Sequence, residues 1–274
     1  MKPARHLKPG GRSRCGLVLL LALFAVAMLG GCEGGDDAAK PAPLQIFVAS
    51  SLTEVFETYA SMYEASNPGL DVVVSAAGSQ ALRLQIEEGA PADVFVSANM
   101  AHLDALVQSG LLEAMEPFAS NRLTIITEKG NPLKIESIDD LQRAERLVVG
   151  APEVPIGAYT ETLLEKVAQR QPELASALRG RVVSRERNVR QVRAKVEMGE
   201  ADAAIVYQSD ARGYEGVQAV AIPETLEVKA TYGLGVARGG HEARRERVEA
   251  FLILLRSHKG QEVLRQHGFE VVSR

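Results

Sequence analysis

Residues 44–64 read Leu44-Gln45-Ile46-Phe47-Val48-Ala49-Ser50-Ser51-Leu52-Thr53-Glu54-Val55-Phe56-Glu57-Thr58-Tyr59-Ala60-Ser61-Met62-Tyr63-Glu64. This stretch decides the fold. Leu44 to Val48 is a short apolar run, the pattern of a strand buried in a sheet. From Ser51 onward, Leu52, Val55, Phe56, Tyr59 and Met62/Tyr63 recur at helical spacing. Ser51 with Glu54 fits a capping box. A strand that passes directly into a helix is the building unit of open α/β sheets.

The same unit repeats along the chain. Asn67-Pro68-Gly69 is a break, Leu70 to Val74 is the next strand, and Gly78-Ser79 opens a helix that carries Leu82, Gln85 and Ile86 and closes at Gly89. Ala92 to Val96 is a third strand, followed by a helix from Met100 to Ser109. A second run begins at Leu123–Thr127. It continues through a short helix at Ile138–Ala144, a strand at Leu147–Gly150 and a helix at Tyr159–Gln169. A helix marked by Val189, Val192 and Val196 ends at Gly199, and Ala203–Tyr207 is a buried strand. Ala219 to Pro223 leads to a strand at Tyr232–Ala237, and helices at Arg244–Ser257 and Gly260–His267 finish the chain. The rhythm predicts an α/β fold of two lobes, each a small, mostly parallel sheet flanked by helices. Asn121–Thr127 and Val220–Thr231 are the expected hinge strands. Lobe 1 is then residues 44–121 and 224–274, and lobe 2 is residues 122–223.

The first 31 residues stand outside this pattern. They carry Lys2, Arg5, Lys8, Arg12 and Arg14, no acidic residue, and an apolar run from Leu17 to Leu29. Thirteen residues is short of the roughly 20 that a membrane span needs, and the order fits a secretory signal peptide. Leu29-Gly30-Gly31-Cys32 resembles the lipobox of bacterial lipoproteins, which implies cleavage before Cys32 and a lipid anchor on it. Glu33 to Pro43 is rich in Gly, Asp, Ala and Pro, and residues 32–43 read as a flexible tether. The expected location is the extracytoplasmic or periplasmic face, anchored to a membrane.

Composition narrows the function. The only other cysteine, Cys15, lies in the signal, so the mature chain has no disulfide. Cleavage leaves 26 basic against 35 acidic residues, a net charge of −9. That balance, without a basic stripe, argues against nucleic acid. No Walker A loop, GxGxxG, GxSxG or HExxH is present, and the five histidines have no neighbours at metal-ligand spacing. No enzyme is expected and no cofactor. Trp is absent and aromatic residues make up 5%, which argues against a sugar site.

What remains is a set of neutral donors at helix starts. Ser51 and Ser79 each open a helix, as do Val154-Pro155-Ile156-Gly157 and Asn188-Val189-Arg190. A helix N-terminus has free N–H groups and a partial positive charge. Several converging would make an anion site in an otherwise acidic protein. Taken singly, a Ser at a helix start is usually an N-cap, and Tyr207 would more often be a core residue anchored by its O–H.

Five segments in order carry a family resemblance: Val48-Ala49-Ser50-Ser51-Leu52, Gly78-Ser79-Gln80, Gly89-Ala90-Pro91-Ala92-Asp93-Val94-Phe95, Pro152-Glu153-Val154-Pro155-Ile156-Gly157-Ala158-Tyr159, and Ile205-Val206-Tyr207-Gln208-Ser209-Asp210-Ala211. Together they resemble the molybdate-binding periplasmic proteins of ABC importers, over nearly all of residues 44–272. The resemblance implies a two-lobed periplasmic-binding-protein fold of type II that clamps a tetrahedral oxyanion. It implies hydroxyl and backbone donors from Ser51 and Ser79, backbone N–H donors from Ile156 and Val189, and a phenolic donor from Tyr207. Ile156 departs from the Ala often found in that turn. Molybdenum is expected only as the bound oxyanion, with no direct protein ligand. Molybdate, and tungstate with it, is the expected ligand. The expected partners are an ABC permease and its cytoplasmic ATPase, and the protein is expected to be a monomer. The alternatives are another oxyanion, such as sulfate, or a ligand-sensing lipoprotein.

Overall fold

The computed structural model describes residues 41–272. The signal peptide, the lipobox with Cys32 and most of the tether lie outside the described residues. The elements in chain order begin with β1 (Leu44–Ala49), α1 (Thr53–Ser66), β2 (Val72–Ala77), α2 (Ser79–Glu87), β3 (Val94–Ser97), α3 (Met100–Gln108) and β4 (Leu112–Glu128). Next come β5 (Leu147–Gly150), α4 (Pro155–Ala168), α5 (Pro172–Gly180), β6 (Val182–Glu186), α6 (Val189–Glu197), β7 (Ala203–Tyr207) and the single turn α7 (Gln208–Ala211). The chain closes with β8 (Val217–Val220), β9 (Lys229–Ala237), α8 (Glu242–Arg256), α9 (His258–Gln266) and β10 (Glu270–Val271).

The strands follow one another in the order β2-β1-β3-β9-β4-β7-β5-β6. The outer groups, β2-β1-β3 and β7-β5-β6, are parallel, as strand–helix–strand units require. The centre is antiparallel: β9 runs against both β3 and β4, and β4 runs against β7. The fold is therefore the expected α/β arrangement, with antiparallel strands where the chain crosses from one group to the other. β4 joins the groups. Its residues 112–122 pair with β9, and its residues 123–128 pair with β7 or β8.

Burial explains why β1 reads as an unbroken apolar run. Leu44, Ile46 and Val48 pack with Val55, Phe56 and Tyr59 of α1 in the main core. Phe47 belongs to a separate cluster with Leu82 and Ile86 of α2, Phe95 of β3 and Leu103 and Leu106 of α3. Helices therefore cover both faces. The aromatic centre of the main core is Phe56, which meets Tyr59 edge-on at 5.3 Å and lies 6.4 Å from Phe251 of α8.

Several local expectations change. The capping box at Ser51 is not formed: residues 50–52 make a 3-10 turn, and α1 starts at Thr53 with no side-chain cap. The Ser51 hydroxyl turns instead to the Tyr232 hydroxyl, 3.0 Å away. The helix expected from Tyr159 begins four residues earlier, at Pro155, because proline is favourable at the first helical position. The segment that precedes Leu123 is part of a strand, since β4 begins at Leu112. Among the described residues no helix is long and apolar enough to cross a membrane.

Candidate functional site

Four chain reversals at strand ends aim at one point. β1 passes through the 3-10 turn that carries Ser51. β2 passes through Gly78 into α2, with Ser79 as the first helical residue. β5 leads to Val154, which caps α4, so Ile156 lies in the first turn behind Pro155. β6 leads to Asn188, whose side chain accepts the Gln191 N–H at 3.0 Å and starts α6 at Val189. In each helix these first-turn N–H groups have no intrahelical acceptor. Tyr207 ends β7 beside them.

The structure brings all five expected residues together. Ser51, Ser79, Ile156, Val189 and Tyr207 line one small cavity with Ala49, Ser50, Ala77, Gly78, Ala98, Val154, Pro155 and Asn188. Its free volume is about 10 Å³, the scale of one water molecule. Wider surface depressions occur elsewhere, such as one of about 480 Å³ beside Arg244 and Glu246. They are lined by charged groups. The small cavity has no charged side chain in its wall. Its lining is small or donor-bearing, which lets backbone N–H groups reach the centre.

The polar atoms at the wall are unequal. The Ser79 hydroxyl accepts the Ala98 N–H at 3.1 Å and keeps its own hydrogen free to donate. Ser51 and Tyr232 share a hydrogen bond across 181 residues of sequence. The Tyr207 hydroxyl is fully buried and makes no hydrogen bond of good geometry. Burial pushes its pKa well above the ordinary tyrosine value, and the nearby Tyr232 and Tyr159 hydroxyls and Asp210 add to the effect. It is therefore a protonated donor at any physiological pH. A buried donor without a partner is costly, and its position at the cavity wall suits an acceptor placed there.

Sequence reasoning missed the groups that hold the two sides of the cavity together. Gln80, beside Ser79, donates to the Arg187 carbonyl at 2.7 Å. Arg190, beside Val189, donates from Nε to the Ser50 carbonyl at 2.7 Å and pairs with Glu54. Tyr214 donates to the same Glu54 carboxylate at 3.1 Å. Burial pushes the Glu54 carboxyl up, but hydrogen bonds from its own backbone, Arg190 and Tyr214 outweigh this and leave it below the usual range. The adjacency of Gln80 and Arg190 to donor residues was the only signal in the sequence, because their partners lie more than a hundred residues away. Gly78 also matters here. A Cβ on it would lie 2.4 Å from the Arg187 carbonyl oxygen, so only glycine allows the approach.

Asp93 and Asp210 stand apart from the lining. Asp93 accepts the Gln45 N–H at 2.7 Å and is gripped by the Arg244 guanidinium, a structural role. Asp210 is buried in the turn after Tyr207, and one of its carboxylate oxygens is without a partner. Burial pushes its pKa up to about 7, with Arg193 and Arg190 pulling it down and Glu54 pushing it up.

Comparison with known proteins adds four findings. A family model described as bacterial extracellular solute-binding protein matches residues 44–270. The molybdate-binding protein ModA of Mycobacterium tuberculosis (strain ATCC 25618 / H37Rv) is 35% identical over 260 residues, covering 91% of this chain and 95% of that protein. ModA of Escherichia coli (strain K12) is 34% identical over 264 residues, covering 92% and 98%. Among solved structures, the periplasmic molybdate-binding protein of Azotobacter vinelandii superposes with a TM-score of 0.71 over 84% of this chain and all of that one. At 18% identity it shows the shared fold.

Proposed function

This chain belongs to the bacterial extracellular solute-binding proteins, and from that premise we propose that its cavity binds molybdate, and tungstate with it, for delivery to an ABC importer. The observation that carries the reading is the wall of the cavity: donors from four chain reversals, an unpartnered tyrosine hydroxyl and no charged side chain. Two relatives that match nearly their full length are molybdate-binding proteins, which supports the same ligand.

The chemistry agrees with the wall. Molybdate is a dianion at neutral pH and can only accept hydrogen bonds, so a site made of donors matches it. A protonated phosphate would also need an acceptor such as a carboxylate. Each hydrogen bond to a charged group contributes about 1.5–3 kcal/mol net. Ser51 and Ser79 would donate through hydroxyl and backbone groups, Ile156 and Val189 through backbone N–H, and Tyr207 through its phenol. Selection against sulfate would rest on cavity size, sulfate being smaller.

The rest of the reading follows from the address and the relatives. Residues 44–121 with 224–274, and residues 122–223, would move as two lobes about β4 and the segment before β9. The anchor would be a lipid on Cys32, on the extracytoplasmic face. The protein would act as a monomer that hands its anion to a permease driven by a cytoplasmic ATPase. Its role is binding and not catalysis.

Titration of residues 33–274 with molybdate, tungstate, sulfate and phosphate by calorimetry tests the proposal. Tight one-to-one binding of the first two with weak sulfate binding is expected. Failure of both metal oxyanions to bind would overturn the ligand, and preference for sulfate would reassign it.

A further inference from the structure

The cavity wall holds no cation, yet a guanidinium reaches one of its peptide groups from behind. Arg190 Nε donates to the Ser50 carbonyl oxygen at 2.7 Å. The N–H on the far side of that same peptide plane belongs to Ser51. In a trans peptide the C=O and N–H point in opposite directions, so the donors on that carbonyl, the Thr53 N–H, the Thr53 hydroxyl at 2.8 Å and the charged Arg190, together fix where the Ser51 N–H points. They also polarise the group, because hydrogen bonds in series strengthen one another in a low-dielectric setting.

The arrangement is matched on the other side. Gln80 Nε2 donates at 2.7 Å to the Arg187 carbonyl, and that peptide's N–H belongs to Asn188, a wall residue. Each hydrogen bond starts beside an expected donor, Val189 or Ser79, and ends on a peptide of the opposite side of the cavity. Arg190 is held in place in turn. Glu54 of α1 pairs with it, the Tyr214 hydroxyl supports Glu54, and the Tyr214 ring lies 3.3 Å from the Arg193 guanidinium one turn along α6. Arg190 is about one-third exposed and Glu54 somewhat more. Such an ion pair contributes little to folding stability because solvent screens it. Its reach to the Ser50 carbonyl is what separates it from an ordinary surface pair.

We propose that Arg190 is a positioning residue that acts through the Ser50–Ser51 peptide, orienting and polarising the Ser51 N–H and holding the start of α6 against the opposite wall. Its charge reaches the anion through a peptide dipole while the cavity itself stays uncharged. In the bound state Arg190 therefore governs how long the oxyanion remains. This rests on the oxyanion reading above.

Arg190→Ala and Arg190→Lys test it with molybdate and with ligand-free protein. Arg190→Ala is expected to weaken molybdate binding about tenfold or more, mainly through faster dissociation, as is usual for changes within one interface. The thermal midpoint of the ligand-free protein should stay close to wild type. In ligand-free protein the Ser51 amide proton should move upfield in the NMR spectrum as its polarisation is lost. Arg190→Lys should recover part of both effects, since an ammonium can still donate to the Ser50 carbonyl. Molybdate affinity within twofold of wild type for Arg190→Ala overturns the proposal. If wild type binds no molybdate, the oxyanion reading fails and the amide shift decides alone. An unmoved Ser51 amide then overturns the positioning role, and an upfield shift supports it.

Discussion

The rings of Tyr207 and Tyr232 meet edge to face with centroids 5.6 Å apart, and only Tyr232 has settled its hydroxyl, on Ser51. Two neighbouring phenols in one buried cluster thus differ in kind. The Tyr232 hydroxyl is tied to a wall serine and fixes where that serine sits. The Tyr207 hydroxyl is left over, without a hydrogen bond of good geometry.

Tyr207→Phe should separate binding from folding. The variant removes one donor to a charged ligand, which corresponds to a loss of roughly 10- to 100-fold in molybdate affinity at about 1.5–3 kcal/mol. Thermal stability of the ligand-free protein should hold or rise, because the deleted hydroxyl has no partner to lose. Calorimetric titration beside a melting curve reads both. An affinity unchanged by the substitution would remove Tyr207 from the site.

Gly78→Ala should act on closure. The added Cβ would meet the Arg187 carbonyl oxygen at 2.4 Å and force apart the segments that Gln80 bridges. Gly78 has an ordinary extended backbone, φ −63° and ψ 136°, so alanine is not strained there for its own sake. The expected result is weaker binding on the order of tenfold, ~1.4 kcal/mol, with a small change in melting temperature. A radius of gyration measured by small-angle scattering should be larger for the variant with molybdate present.

Asp210 predicts a pH dependence of stability. Burial raises its pKa to about 7, whereas in the unfolded chain it titrates near 3.9. Between those values the folded state holds a proton that the unfolded state has lost. The carboxyl therefore lowers stability progressively as pH rises through that window, with the full cost above pH 7. At three pKa units the cost reaches about 4 kcal/mol. Asp210→Asn should gain over wild type more at pH 8 than at pH 5. Denaturant unfolding at the two values measures this, and a gap that shrinks with rising pH would contradict it.

Strands covered on both faces are plain in the sequence. β1, β3, β5 and β7 are buried throughout or nearly so, and such strands read as continuous apolar runs. β6, Val-Val-Ser-Arg-Glu, lies at the edge of the sheet with alternate residues exposed, and its charges hid it. The first part of β4 was hidden for another reason. Register shifts fall between Leu112 and Met115 and between Pro117 and Ala119, so no alternation builds up. α5 carries local start signals, with Pro172 at its first position and Glu173 in its first turn.

The site was legible to the same degree and for a related reason. Ser51, Ser79, Ile156 and Val189 sit at helix starts, which local sequence marks, and Tyr207 ends a buried strand. The groups around them do not depend on local sequence. Tyr232 reaches Ser51 from 181 residues away, and Glu54 meets Arg190 from 136. No local pattern encodes such a meeting.

β4 spans 17 residues and keeps one set of partners along residues 112–122 and another along residues 123–128. A motion of one group of strands against the other would therefore be taken up as torsion of a shared rod, with its ladder hydrogen bonds intact. Such a rod has a rest angle. On the binding reading, the angle at which the protein waits for its anion would be set by the twist of a strand that itself pairs with the cavity wall, Leu123 lying opposite Tyr207. Substitutions along β4 would retune affinity while leaving the binding wall chemically untouched.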